Sequence, residues 1–337
     1  MNSRVLYLDI IRIFACLMII AMHAPIPKTG LSSYVLSTDS LLTAPGVGLF
    51  VMVSGALLLP VNMPTKQFLK RRVGKIVFPT LFWTFFYMLV YWQMYGLNID
   101  NVWHPIISIP FSYQFGVVLW FMYMLAGLYL LAPIISPWLK QVGMRELEFY
   151  LILWVITLCY PYIRGFVGVN EGHTGILYYF GGYVGYFILG FYLRTYVKSL
   201  AVWKCLTLLL FPLSVAVVMK TQQVTIQFYD SFWYLSILVA MMGGGWFLLI
   251  KRMDIKYTNT SKLHSLIVLV SNCCFGIYLV HIFVMRSLIW KWTLLYDLGV
   301  IQILVVTLFT FWGSFLLTWL ISYLPGAEYI IGFRQKK

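Results

Sequence analysis

Long apolar blocks follow one another along the chain, and short polar segments separate them. All but one of the blocks are about 17 to 25 residues long, enough for a helix rising 1.5 Å per residue to cross a ~30 Å hydrocarbon core. Ten can be read: Val5 to Ala24, Leu41 to Pro60, Ile76 to Tyr95, Phe115 to Ile135, Glu148 to Arg164, Ile176 to Leu193, Cys205 to Met219, Ser231 to Ile250, Ser265 to Met285 and Leu298 to Ser322. The pattern predicts an all-α fold, a polytopic transmembrane helical bundle of about ten spans. The longest hydrophilic run, Pro25 to Ser40, has no room for a soluble domain, so residues 1–337 read as one integral membrane domain. Trp and Tyr gather near the expected boundaries, as at Trp83, Tyr91 and Trp92 or at Trp290, Trp292 and Tyr296. Aromatic belts at the two interfaces explain that placement, and a platform for stacking sugars is the alternative.

Composition removes the soluble classes. Hydrophobic residues make up 61% of the chain, mean hydropathy is +0.86, and only 10% of positions are charged, against roughly 25% in soluble domains. The net charge of +14 would suggest a nucleic-acid partner in a soluble chain. Its distribution argues otherwise. With the amino terminus cytoplasmic, the inner segments hold Arg4, then Lys66, Lys70, Arg71, Arg72 and Lys75, then Lys140 and Arg145, then Arg194, Lys198 and Lys204, then Lys251, Arg252, Lys256 and Lys262, and finally Arg334, Lys336 and Lys337. The outer segments hold Lys28, Arg164, Lys220, Arg286 and Lys291. A bias of eighteen to five follows the positive-inside rule and places both termini in the cytoplasm, with no nucleic acid implied. The first span lacks a small-residue cleavage pattern and is expected to stay as an anchor. Cys16, Cys159, Cys205, Cys273 and Cys274 have neither a disulfide framework's spacing nor a zinc site's, and no metal is expected.

Ionisable residues inside spans then become informative, because burying them in lipid is costly and by default marks function. The first span, LDIIRIFACLMIIAMH, carries Asp9, Arg12 and His23. Eleven residues separate Arg12 from His23, which is three helical turns plus about 20°, so both lie on one face about 16 Å apart along the axis. Either Arg12 snorkels beside Asp9 and His23 sits at the interface, or the two line a polar path. The ninth span, SNCCFGIYLVHIF, brings Tyr278 and His281 to a depth matching His23. Histidine exchanges protons near neutral pH, as acid–base chemistry on a hydroxyl requires, though a lone one is often just hydrogen-bonded structure. The basic run with Lys70, Arg71, Arg72 and Lys75 is either an inner loop drawn to anionic membrane lipid or a cradle for phosphates. Ser54 and Gly55 suit close helix packing or a channel lining. Trp120 suits packing or ligand stacking. Glu171, in the outer segment GVNEGHTG, is a possible contact for a sugar. A transporter or exporter of a polysaccharide or lipid-linked sugar would also use ten spans and midmembrane polar groups.

Several segments in order carry a resemblance: Arg12 followed by ten residues and then His23, LFVMVSG ending at Ser54 and Gly55, FLKRRVGKIVFP, LWFMYML around Trp120, YFGGYVGYFILGFYL from Tyr179, and FGIYLVH ending at His281. Together they make the chain similar, nearly end to end, to the acyltransferase-3 family of bacterial membrane acyltransferases. The resemblance implies an enzyme of the cytoplasmic membrane that takes an acyl group, by family frequency acetyl, from cytoplasmic acetyl-CoA. The acceptor it implies is a hydroxyl of a surface glycan or lipid-linked oligosaccharide on the outer side. It also implies that Arg12 and His23 are the essential pair and Arg71 and Arg72 the basic loop motif. Lys75 departs from the arginine of many relatives and lacks its planar fork. The hydrolase-like domain fused to some relatives has no counterpart in these residues, so transfer is expected to finish within the membrane domain or with a partner.

Overall fold

The computed structural model describes residues 4–25, 39, 41–95, 107, 119–168, 175–222, 232–253, 262–290 and 301–335. Among them every regular element is helical: α1 (Leu6–Met22), α2 (Pro45–Leu58), α3 (Thr65–Arg72), α4 (Gly74–Tyr95), α5 (Trp120–Gln141), α6 (Met144–Thr157), α7 (Tyr160–Val167), α8 (Tyr183–Thr195), α9 (Val202–Thr221), α10 (Ile237–Arg252), α11 (Lys262–Val284), α12 (Ile301–Ile321) and α13 (Ala327–Ile331). Seven stretches are long and apolar enough to cross a bilayer, namely Leu41–Leu58, Thr65–Gln93, Trp120–Gln141, Met144–Arg164, Val202–Met219, Lys262–Ile289 and Ile301–Ile321. The other expected spans correspond to α1, α8 and α10, which are shorter at 17, 13 and 16 residues.

Among the boundaries that differ from the apolar pattern, three have a clear local reason. The expected span from Glu148 to Arg164 breaks into α6 and α7, because Pro161 in the first turn of α7 has no N–H to continue the ladder. The apolar run from Ile176 becomes helical only at Tyr183. A 3-10 turn, Tyr178–Phe180, comes first, and Gly182 then takes φ +81 and ψ −165, a region essentially limited to glycine. Helix α5 continues past the expected end at Ile135 to Gln141, through Pro133 and Pro137. There the Ser136 hydroxyl donates to the Ala132 carbonyl at 2.6 Å and accepts from Val61 N–H at 2.8 Å, tying the segment after α2 to this helix.

Helix α2 runs through the centre, with Leu49, Val51 and Met52 fully buried, and packs against α1, α8 and α10. Its contact with α8 is backbone to backbone. A Cβ on Gly55 would lie 1.8 Å from the Phe187 carbonyl oxygen, and one on Gly190 would lie 1.9 Å from that of Met52. Small residues admit such approach where lipid offers no hydrophobic drive for association. Gly55 therefore serves packing, as one of its two readings had it. Helix α1 packs against α2, α10, α11 and α12, so it lies among protein neighbours on several sides.

Candidate active site

The face of α1 that carries Arg12 and His23 meets α11 at three levels. Arg12 donates to the Ser271 hydroxyl at 3.1 Å, the Cys16 thiol lies 3.9 Å from the Cys274 carbonyl, and the His23 and His281 rings lie 5.3 Å apart at 73°. The paired numbers rise together, so α1 and α11 run parallel. At 1.5 Å per residue, the steps from Arg12 to His23 and from Ser271 to His281 are both about 15 to 16 Å.

The Arg12 level is a polar network. Asp9, buried at 5% exposure, accepts from Arg4 through Nε at 2.7 Å and Nη2 at 2.9 Å, and from the Ser271 hydroxyl at 2.6 Å. Arg12 approaches the same carboxylate at 3.8 Å. Arg4 also reaches the Asn272 side chain at 2.9 Å. Asp9 thus balances two guanidinium groups and ties the start of α1 to α11, while the half-buried Arg12 keeps N–H donors without a protein partner among the described residues. Across from it, Tyr129 of α5 lies within electrostatic range of Ser54 and of both Arg12 and Arg72. Sequence reasoning singled out Arg12, Ser54 and Arg72 but not Tyr129 or Ser271. A hydroxyl in a span is too common to stand out, and only the fold brings these two to the arginine.

An aromatic layer follows along the axis. Phe121 of α5 lies 5.9 Å from Phe50 of α2 and 5.4 Å from Tyr278 of α11. Tyr278 is 4% exposed, so its place is within this layer and against His281, whose ring is 5.5 Å away.

At the far level, His23 forms the C-cap of α1. Its Nδ1 is 2.8 Å from the Ile19 carbonyl, and Nδ1 of His281 is 2.5 Å from the Tyr278 carbonyl. A carbonyl only accepts, so each neutral ring carries its proton on Nδ1 and keeps its lone pair on Nε2. His281 is wholly buried, and its Nε2 has no hydrogen-bond partner. A buried acceptor left unpaired is costly and calls for a reason. A π-helical turn, Met285–Ile289, follows at once; such turns recur at functional sites.

Trp120 stands at this level among Tyr234 at 5.4 Å and Tyr183 at 5.8 Å. The Tyr234 hydroxyl meets the Met22 sulfur at 3.0 Å, next to His23, and its backbone carbonyl accepts from Tyr186 at 2.7 Å. Beyond Tyr234, Trp233 leads at 4.1 Å into a groove of about 660 Å³ lined by Tyr160, Arg164, Tyr178, Tyr179 and Trp233. That aromatic groove was not singled out in the sequence, where its residues look like interface belt. Glu171 lies outside the described residues.

The basic run divides. Lys70, Arg71 and Arg72 occupy the last turn of α3, exposed and favourably placed at its negative end. Lys75 lies in α4 and lines a separate cavity with the segment after α12. Among the described residues no cluster of three metal-ligating side chains occurs, and all five cysteines are free thiols.

A family model described as an acyltransferase domain matches residues 5–320. Comparison with curated proteins and with solved structures returned no match. The match runs from Val5, at the start of α1, to the last turn of α12, and on that extent the chain belongs to the acyltransferase-3 family and is a membrane acyltransferase.

Proposed function

We propose that the protein is an O-acyltransferase that carries an acetyl group from cytoplasmic acetyl-CoA to a hydroxyl of a cell-surface or lipid-linked glycan on the outer side. In this reading it is a multi-pass protein of the bacterial cytoplasmic membrane that crosses ten times, with both termini inside. The parallel course of α1 and α11, its first and ninth spans, supports that topology. Lys70, Arg71, Arg72 and Lys75 hold donor phosphates at the inner mouth, where Arg12, Ser54 and Tyr129 receive the arm that bears the thioester.

The paired histidines carry the proposal. Each fixes its Nδ1 proton on a carbonyl, and each keeps an Nε2 lone pair at the end of the stripe remote from Arg12. His23, the more accessible of the two, takes the proton of the acceptor hydroxyl as its oxygen attacks the thioester carbonyl. The C–O bond forms, the C–S bond breaks, and the proton passes to the departing thiolate, which leaves as free coenzyme A. His281 receives a hydrogen bond from the acceptor at its otherwise unpaired Nε2 and positions it. Trp120, with the Tyr278 layer beneath it, walls the acceptor side, and Glu171, of the sequence segment GVNEGHTG, is the proposed sugar contact. Removing a general base costs about 10²–10⁴-fold in rate.

The test compares surface glycans by mass spectrometry from cells with the intact protein, without it, and with an inserted His23→Ala protein. An acetyl increment present only with the intact protein supports the reading. An unchanged glycan profile across all three refutes it.

A further inference from the structure

The chain beyond α12 does not trail away. Gly326 at φ +80 and Gly332 at φ +68 bracket α13, whose Ala327 and Ile331 are buried. The Ile330 carbonyl accepts from Trp83 Nε1 at 2.9 Å, and Gln335 N–H donates to the Ser322 carbonyl at 3.0 Å. A Cβ on Gly332 would lie 2.9 Å from the Phe275 ring and 3.0 Å from the Lys75 carbonyl, so the segment is held tightly against α4 and α11.

Between this segment and the start of α4 lies a cavity of about 670 Å³, lined by Lys75, Tyr323, Glu328, Phe333, Arg334 and Gln335. Two features give its chemistry. Lys75 and Arg334 are exposed cations. Glu328 Oε2 and Gln335 Oε1 are buried acceptor atoms with no hydrogen-bond partner, and Glu328 forms no ion pair among the described residues. The cations call for an anion, but the orphan oxygens call for N–H or O–H donors, which a phosphodiester or fully ionised phosphate group does not itself supply. Tyr323 and Phe333 add ring surface. A nucleotide answers every demand at once: phosphate for Lys75 and Arg334, ribose hydroxyl or base amine for Glu328 and Gln335, and a flat base for the rings. An acidic side chain on a ribose hydroxyl is a recurrent way of holding nucleotides.

We infer that this cavity seats the adenosine-phosphate end of the acyl donor, with Glu328, Arg334 and Gln335 as binding residues alongside Lys75. The inference rests on the donor assignment above, and it makes the segment after the last span part of the donor site.

The experiment uses the full chain in nanodiscs of phosphatidylcholine, titrated with coenzyme A and with adenosine 3′,5′-bisphosphate. Arg334→Gln, Glu328→Leu and Gln335→Leu are compared with the parent, and ligand-free thermal midpoints verify folding. Neither leucine change removes a hydrogen bond from the two orphan oxygens. Each variant is expected to weaken both ligands about tenfold, the size of one lost charge-assisted or buried hydrogen bond. If the parent binds coenzyme A and the folded variants bind it equally, this cavity is not the nucleotide site, while the donor assignment stands. If the parent binds neither ligand, the donor assignment itself falls, and the inference with it. Protection by added phosphatidylglycerol, with no response to the bisphosphate, would make the cavity a lipid site and overturn the inference.

Discussion

Replacing His281 by leucine separates a functional histidine from a structural one. The residue is wholly buried, and its Nε2 pairs with nothing in the protein. Such an orphan acceptor costs about 1–3 kcal/mol, which leucine recovers. Against that stand the Nδ1–H bond to the Tyr278 carbonyl, worth about 0.5–1.5 kcal/mol, and the edge contact with His23, worth about 0.5–1 kcal/mol. The balance lies within about 1 kcal/mol of zero, whereas truncating a well-packed buried side chain typically costs about 2–5 kcal/mol. His281→Leu should therefore keep its thermal midpoint within about 3 °C of the parent and, by misplacing the acceptor, lose roughly 100-fold in acyl transfer. A thiol-reactive fluorogenic dye reads unfolding here, because Cys16, Cys205, Cys273 and Cys274 are buried free thiols. Acyl transfer is measured in the same preparation as release of coenzyme A. A stability lowered by more than about 2 kcal/mol, with full turnover per folded molecule, would show that His281 is structural and refute the reasoning.

Three further outcomes follow from the same geometry. His23→Asn keeps a donor where Nδ1 meets the Ile19 carbonyl but deletes Nε2, so activity should fall about 10²–10⁴-fold with unchanged unfolding; retained activity would remove His23 from catalysis. Gly190→Ala places a Cβ 1.9 Å from the Met52 carbonyl and should destabilise the α2–α8 contact by about 1–3 kcal/mol, read by the same dye. Burial raises the Asp39 carboxyl from its ordinary value to about 7, so the folded protein binds this proton more tightly than the unfolded chain. That contribution to stability is full below pH about 4 and is lost as pH rises to about 7. Asp39→Asn should accordingly flatten the dependence of thermal midpoint on pH across that window.

What the sequence could and could not disclose follows from range. Apolar runs such as those behind α2, α5 and α12 announce themselves, because lipid demands unbroken helix length. That Arg12 and His23 share a face follows from helical arithmetic alone, and the structure has both meeting α11. Local backbone effects were harder to read. Hydropathy does not register the missing N–H of Pro161 or the mirror-image backbone of Gly182, so α6 and α8 end and begin away from the apolar edges. Partnerships between helices were hidden altogether. Ser271, Tyr129 and Tyr234 are unremarkable until the fold sets them against Arg12, Ser54 and Met22. In the sequence the C-terminal segment contributed only its positive charges. That Gly326 and Gly332 bracket α13 with positive φ emerges only from the fold.

In the proposed mechanism donor and acceptor meet on one helix face from opposite sides of the membrane. Sealed vesicles of defined orientation test this directly, with membrane-impermeant acetyl-CoA supplied on one face and the glycan acceptor confined to the other. Transfer is expected only when the donor is on the face that bears Lys70, Arg71 and Arg72 and the acceptor is on the face that bears His23. Efficient transfer with both substrates confined to a single face would contradict it.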